Sequence, residues 1–339
     1  IRGREMEPRR RFDLVGGPAI AAILSESKHQ VLELIRETYL LHDAACTTNP
    51  DSYFLRFDDK PTARIIALPA RLRGTEDIAG IKWIASFPEN KDIPLPRASA
   101  VVVLNDMATG FPYACLEGSQ ISAVRTAASA TLAAEILHRR KQAGRVAVIG
   151  AGPIASAVVD FMLATGWSVG QFQVHDLIGA RARALCDRLH ESGFRVESAD
   201  SAKHAIDGAD LVVFATTAAR PYLEGPALFT PEQTVLHVSL RDLGVDVILS
   251  AQNVVDDVEH CLKAQTSVHL AEQTTGSRAF VDGTIGDLIS GRLQPDQRRA
   301  RIFSPFGLGV LDIAVARFVH EKAVASGGAA MIDDFFVSA

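Results

Sequence analysis

The stretch Arg145-Val-Ala-Val-Ile-Gly150-Ala-Gly152-Pro-Ile-Ala155 decides how this chain is read. Its apolar, β-branched lead reads as a buried strand, the glycines as a tight turn, and residues 154–163 as the helix that follows. Gly150 would make the turn, Gly152 would let the backbone approach a pyrophosphate, and Ala155 is small enough for close helix–strand packing. Unpaired amides at the helix start, with the helix dipole behind them, suit phosphate groups. A glycine turn also occurs in other α/β domains, so the next run matters. Val169-Gly-Gln-Phe-Gln-Val-His-Asp176 reads as a second strand ending in an acid. Asp176 is then placed to bond ribose hydroxyls, which favours NAD over its 2′-phosphorylated form.

Downstream, helices and strands continue to alternate. The pattern predicts a helix over 180–190, a strand over 194–198, a short helix over 201–207 and strands over 211–216, 234–239 and 253–256. Residues 287–292 read as a short helix and turn. Alternation at this spacing implies right-handed crossovers and a parallel sheet. Upstream the grammar differs. Residues 20–42 carry apolar side chains at helical spacing. After Pro50 come strand-like runs, Tyr53-Phe-Leu-Arg-Phe57, Ala63-Arg-Ile-Ile-Ala-Leu68, Gly80-Ile-Lys-Trp-Ile-Ala-Ser-Phe87, Ala98-Ser-Ala-Val-Val-Val-Leu104 and Phe111-Pro-Tyr-Ala-Cys-Leu116. They suggest an antiparallel sheet or partial barrel. A helix over 119–141 leads into the first strand of the later half. A last long helix over 309–325 carries Leu311, Val315, Phe318 and Val319, and the tail Phe335-Phe-Val337 is expected to pack on a neighbour or a partner chain.

The fold class expected is therefore α/β, a Rossmann-type doubly wound parallel sheet joined to a strand-rich α+β domain. The expected division is 1–128 with 310–339 for substrate binding and dimerisation, and 129–309 for NAD. The chain's 339 residues allow two domains. A net charge of −5 gives no electrostatic case for nucleic acid or a membrane surface. Cys46, Cys115, Cys186 and Cys261 are scattered and make no ligand or redox pair, which reads as reduced thiols in a cytoplasmic protein. No apolar run is long enough for a bilayer, and the basic stretch 1–11 reads as a mobile leader or a remnant of expression. The ten histidines show no ligand spacing, so no metal is expected.

In a doubly wound sheet, ligands sit beyond the carboxyl ends of the strands. Thr216-Thr217 and Asp242 lie at that edge. The threonines could line a nicotinamide pocket. Asp242 reads either as a turn or helix-capping aspartate or as a general acid/base. The earlier half offers Arg64, Lys82 and Arg125 in apolar surroundings. Each reads as a locally paired charge or as part of a clamp on substrate carboxylates, Arg giving a bidentate fork.

These residues also carry a resemblance. Arg64-Ile-Ile-Ala-Leu-Pro69, Gly80-Ile-Lys-Trp83, Arg125-Thr-Ala-Ala128, Gly150-Ala-Gly152-Pro-Ile-Ala155 and Ser304-Pro-Phe-Gly-Leu-Gly-Val-Leu-Asp312-Ile-Ala resemble the ornithine cyclodeaminase/μ-crystallin family over nearly the whole chain. Gly80-Ile-Lys-Trp-Ile-Ala-Ser86, Arg97-Ala-Ser-Ala-Val-Val-Val-Leu-Asn-Asp106 and Glu117-Gly-Ser-Gln-Ile-Ser-Ala123 are most similar to its siderophore-pathway branch. That resemblance implies NAD-dependent oxidation of N-(2-amino-2-carboxyethyl)-L-glutamate to 2-oxoglutarate and L-2,3-diaminopropionate. It implies Arg64, Lys82 and Arg125 on a substrate carboxylate, Asp242 and Lys82 in catalysis, and a homodimer built through the strand-rich domain. The cofactor set is Gly150, Gly152, Pro153, Ile154, Asp176, Thr216, Thr217 and Thr126. The family's aspartate sits in a Gly-Gly-Asp-x-Pro-Gly-like segment, from which Leu240-Arg-Asp242-Leu-Gly departs. Other activities of the family, a cyclodeaminase, an amino-acid dehydrogenase or a ketimine reductase, and a non-catalytic dinucleotide-binding protein are the alternatives.

Overall fold

The computed structural model describes residues 11–74 and 77–337, apart from the side chains of Lys91 and Asp92. Of the basic leader only Arg11 falls among them. The chain separates into two compact units, one of Ile1–Arg125 with Leu308–Ala339 and one of Thr126–Gly307.

The first unit holds an eight-stranded sheet. Its order is Ala330–Ile332, Phe12–Val15, Pro112–Glu117, Ala98–Asp106, Ile78–Ser86, Lys60–Leu72 and Thr47–Thr48, with Tyr53–Phe57 also paired on Lys60–Leu72. All pairings are antiparallel except Phe12–Val15 with Pro112–Glu117. Helix Gly309–Ser326 lies against four of these strands, with Gly17–Glu26 and Lys28–Asp43 packed on it. Its approach needs small residues. A Cβ on Gly80 would fall 2.3 Å from the Val103 carbonyl oxygen and 2.9 Å from Ile313 Cδ1. Asn49 Oδ1 accepts from the Val310 amide at 3.0 Å and so caps this helix from far away in sequence.

Two expectations change here, and that for the tail is met by its neighbours in the chain. The helix predicted over 20–42 is two helices, Gly17–Glu26 and Lys28–Asp43, because Ser27 leaves helical backbone at φ −116, ψ 18. Three short strands, Phe12–Val15, Thr47–Thr48 and Ala330–Ile332, join the sheet. The tail packs on its own chain: Phe335 stacks on Phe12 at 4.4 Å, and Phe336 meets Phe111 edge-on at 5.2 Å.

The second unit holds an eight-stranded sheet in which every pairing is parallel. Its order is Val196–Ser198, Ser168–His175, Gln142–Ile149, Leu211–Phe214, Thr234–His237, Arg301–Ser304, Gln252–Val255 and Val281–Thr284. From Gln142–Ile149 the chain builds outward first on one side, then returns through Leu211–Phe214 to build on the other. That reversal is the switch point at which such sheets bind ligands. The central strands are buried on both faces, as parallel strands between helical layers are. Strand Arg301–Ser304 sits mid-sheet, and neither it nor Val281–Thr284 stands out in the sequence.

Candidate functional site

The glycine turn follows strand Gln142–Ile149, and its geometry fits a dinucleotide. Gly150 has φ +89, and a Cβ there would lie 2.5 Å from the Ala215 carbonyl oxygen, so no side chain is tolerated. Gly152 meets nothing within 4 Å, which leaves its surface open to a ligand. It is the N-cap of helix Pro153–Ala164 and offers no side-chain cap, so first-turn amides face outward without one. Pro153 takes a first-turn position, where its missing N–H costs nothing. Ile154 is half-buried, and Ala155 is buried beneath the helix. Asp176, just past strand Ser168–His175, accepts from the Ala151 amide at 2.7 Å and from the Ile178 amide at 2.7 Å. It therefore shapes the turn, while a carboxylate retains lone pairs for a ribose. Thr126 lies in helix Ser119–His138, and exposed Thr217 stands beyond strand Leu211–Phe214.

Thr216 does something the sequence did not suggest. Its hydroxyl donates to Asp242 Oδ1 at 2.5 Å. Ser239 Oγ donates to Oδ2, and His237 Nε2 lies 3.3 Å from that same oxygen. Asp242 is completely buried. Burial pushes its carboxyl up, but the contacts from His237, Ser239 and Thr216 outweigh this and hold it below the usual range. Burial and the adjacent Asp242 charge push the Tyr222 hydroxyl up. The capping role does not hold: helix Val245–Ser250 starts at Gly244 without a side-chain cap, and the Asp242 carboxylate turns to the hydroxyls instead. The departure from the glycine-rich pattern has a structural counterpart. Leu240 adopts φ +69, left-handed backbone that glycine takes without strain, and its side chain is buried.

In the first unit Lys82 and Arg125 meet. Lys82 Nζ donates to Asp312 Oδ2 at 2.7 Å and to Ser122 Oγ at 3.2 Å, and Arg125 Nε donates to Asp312 Oδ1 at 3.2 Å. Lys82 is 2% exposed, Arg125 9% and Asp312 0%. Asp312, a residue the functional reading had passed over, thus ties the two cations together. The trio carries one net positive charge. An ammonium has three N–H donors, of which Asp312 and Ser122 engage two, and the Arg125 contact uses Nε. Donors remain on both for a carboxylate. Burial lowers the Lys82 pKa to about 8, against the pull of Asp312 and with a push from Arg125. Arg64 is half-buried on strand Lys60–Leu72, four residues from Leu68, the residue opposite Lys82. That spacing is roughly 13 Å, on the same sheet face. Among the described residues no group of three or more His, Cys, Asp or Glu could hold a metal ion, and no helix is long and apolar enough to cross a membrane.

A parallel sheet with a glycine turn at its switch point defines a dinucleotide-binding α/β protein with a second, mostly antiparallel domain. More particularly, the chain belongs to the ornithine cyclodeaminase/mu-crystallin family, whose profile matches residues 29–327. It is 29% identical over 267 residues to N-((2S)-2-amino-2-carboxyethyl)-L-glutamate dehydrogenase of Staphylococcus aureus, covering 77% of this chain and 79% of that one. The fold matches Δ1-pyrroline-2-carboxylate reductase of Thermococcus litoralis in complex with NADH and L-proline, with TM-score 0.87, 22% identity and coverage of 94% and 99%. It also matches an archaeal alanine dehydrogenase dimer with bound NAD, with TM-score 0.85, 24% identity and coverage of 96% and 100%. The expectation of an NAD-dependent oxidoreductase is borne out at the level of this family.

Proposed function

We propose that this protein catalyses NAD-dependent oxidation of N-(2-amino-2-carboxyethyl)-L-glutamate to 2-oxoglutarate and L-2,3-diaminopropionate. The observation that carries the reading is the buried Lys82–Asp312–Arg125 trio, in a chain whose 29%-identical relative has that activity in its name. A trio with net charge +1 and donors to spare suits the carboxylate of an amino-acid conjugate. Gly150, Gly152, Pro153 and Ile154 hold the pyrophosphate, Asp176 the ribose, and Thr126, Thr216 and Thr217 the nicotinamide end. Bound NAD⁺ supplies the hydride acceptor for the glutamate α-carbon. Lys82 and Arg125 fix the substrate carboxylate so that the α-hydrogen is presented, and Arg64 serves a more distant carboxylate. Asp242 takes a proton from the water that adds to the imine carbon and returns it to the departing amine. The Thr216 and Ser239 hydroxyls hold that carboxylate ionised until it is needed.

The sheet face opposite Lys82 supports a homodimer. Tyr53, Ala67, Trp83 and Val101 lie in one row across neighbouring strands, and Trp83 remains 42% exposed. The test is incubation with NAD⁺ and the conjugate, reading reduced cofactor and 2-oxoglutarate together. Release of both in equal amounts is the expected result. Turnover confined to alanine, proline or ornithine assigns another activity of the family.

A further inference from the structure

Asp242 has no surface of its own on which to meet a ligand: the whole residue is buried, carboxylate included. Protons reach it only through the groups that stand on its oxygens. Ser239 Oγ donates to Oδ2, and Thr216 Oγ1 donates to Oδ1 at 2.5 Å. The two hydroxyls come from different strand ends. Ser239 follows strand Thr234–His237. Thr216 follows strand Leu211–Phe214, which pairs with Gln142–Ile149, the strand that runs into the glycine turn. A Cβ on Gly150 would stand 3.1 Å from the Thr216 amide nitrogen. Thr216 is thus the hydroxyl on Asp242 that adjoins the dinucleotide turn, and it is half-buried where Asp242 is sealed. The partners of this hydroxyl fix its state. The Ala218 amide, which can only donate, donates to Thr216 Oγ1 at 3.1 Å. A hydroxyl has one hydrogen and two lone pairs. The hydrogen goes to Asp242 and one lone pair takes Ala218, which leaves one lone pair.

We propose that Thr216 is a proton relay, the hydroxyl through which buried Asp242 exchanges protons with the reacting water and amine. This rests on the reading of Asp242 as the acid/base group. Once the α-hydride has left with its electron pair for NAD⁺, the carbon–nitrogen double bond of the substrate carries a positive charge. Water adds through oxygen to that carbon. Its proton passes to Thr216 Oγ1 while the Thr216 hydrogen passes to Asp242 Oδ1, so the hydroxyl is regenerated and the carboxyl becomes neutral. The return runs the same way: Asp242 gives its hydrogen back to Thr216, and Thr216 gives one to the nitrogen. The carbon–nitrogen bond then breaks with its electrons on nitrogen, and the carbon–oxygen bond becomes double. The hydroxyl proton left over goes to the released amine, where the positive charge ends. Two other groups lie beside Asp242. His237 Nε2 accepts from the Asp242 amide and so has no hydrogen to give at that nitrogen. Tyr222, whose amide donates to the Asp242 carbonyl at 3.1 Å, carries the competing hydroxyl.

The experiment compares Thr216→Val, Thr216→Ser, Ser239→Ala and Tyr222→Phe with the wild type, using N-(2-amino-2-carboxyethyl)-L-glutamate and NAD⁺. Turnover is measured in H₂O and D₂O, and with deuterium at the glutamate α-carbon. Loss of a hydrogen bond to Asp242 also shifts its titration, so rates are read on the plateau above the acidic limb. There kcat of Thr216→Val is expected to fall about a hundredfold. Its solvent isotope effect rises and its α-deuterium effect vanishes, because proton transfer has replaced hydride transfer as the slow step. Thr216→Ser regains the hydroxyl, and both effects return toward wild type. Ser239→Ala moves the acidic limb without raising the solvent effect. A folded Thr216→Val protein whose plateau rate recovers, or whose solvent effect does not rise, overturns the relay. So does a raised solvent effect confined to Tyr222→Phe. If Thr216→Val does not fold, single turnovers of the wild type in mixed H₂O and D₂O decide. Two protons in flight give a curved dependence of 2-oxoglutarate formation on deuterium fraction, and a linear one overturns the proposal. A wild type that oxidises L-alanine but not the conjugate removes the substrate assigned above, and the same comparison on L-alanine then decides the relay.

Discussion

Asp312 Oδ2 stands 2.7 Å from Lys82 Nζ, although 230 residues separate them in sequence, and both are buried. Two charges out of water offset each other's desolvation only while both are present. Asp312→Asn would leave Lys82 and Arg125 as two neighbouring buried cations. We expect a loss of about 3 kcal/mol in stability, read as a lower urea midpoint. The substrate KM should change as well, because the two cations lose the bridge that spaces them.

Lys82 gives the substrate interaction a pH dependence. Its pKa of about 8 places the loss of its charge just above neutrality. The charged ammonium is the form that binds a carboxylate, so KM for the conjugate should climb as pH rises through 8 to 9.5. The Kd for NAD⁺ should stay level across the same range. A flat KM would remove Lys82 from the substrate clamp.

Asp176→Ala should weaken NAD⁺ binding by tenfold or more in a calorimetric titration. The same change removes two acceptors from the turn, those for the Ala151 and Ile178 amides. A stability loss of about 1–2 kcal/mol should therefore accompany it. Unaltered affinity would show that the acid serves the turn alone.

Leu240→Gly sets two effects against each other. Glycine relieves the left-handed backbone, a gain of about 1 kcal/mol. It also removes a buried leucine side chain, a loss of about 3 kcal/mol. The loss should win by about 2 kcal/mol in urea unfolding. A more stable variant would mean that the strain at φ +69 outweighs the burial of the side chain.

Sequence legibility followed pattern length. The run Arg145–Gly150 announced itself because four apolar residues precede a glycine that nothing else can replace. Strand Arg301–Ser304 did not, since it has four residues and starts with a charge; its arginine is tolerated because carbonyls of Pro231, Glu232 and Asp296 take its donors. The break at Ser27 was hidden because the apolar spacing on either side stays in phase with one helix. Lys82 was visible as a lone cation in an apolar strand. Its counterpart was visible in the same way, as the one carboxylate in Gly309-Val-Leu-Asp-Ile-Ala-Val-Ala316, and matching the two would have found the pair. Asp242 could be placed at a strand end, but its three side-chain neighbours, Thr216, His237 and Ser239, come from two separate strand ends that no periodicity pairs.

The capping of Val310 by Asn49 has a consequence for how a cell makes this protein. Translation delivers Asn49 and Lys82 first, and their partners on helix Gly309–Ser326 only 261 and 230 residues later. Until that helix emerges from the ribosome, the growing antiparallel sheet lacks its cover and an anion for its buried lysine, while the parallel sheet can already be complete. Nascent chains stalled before residue 309 should therefore be clients of holding chaperones, and release from them should coincide with the emergence of helix Gly309–Ser326.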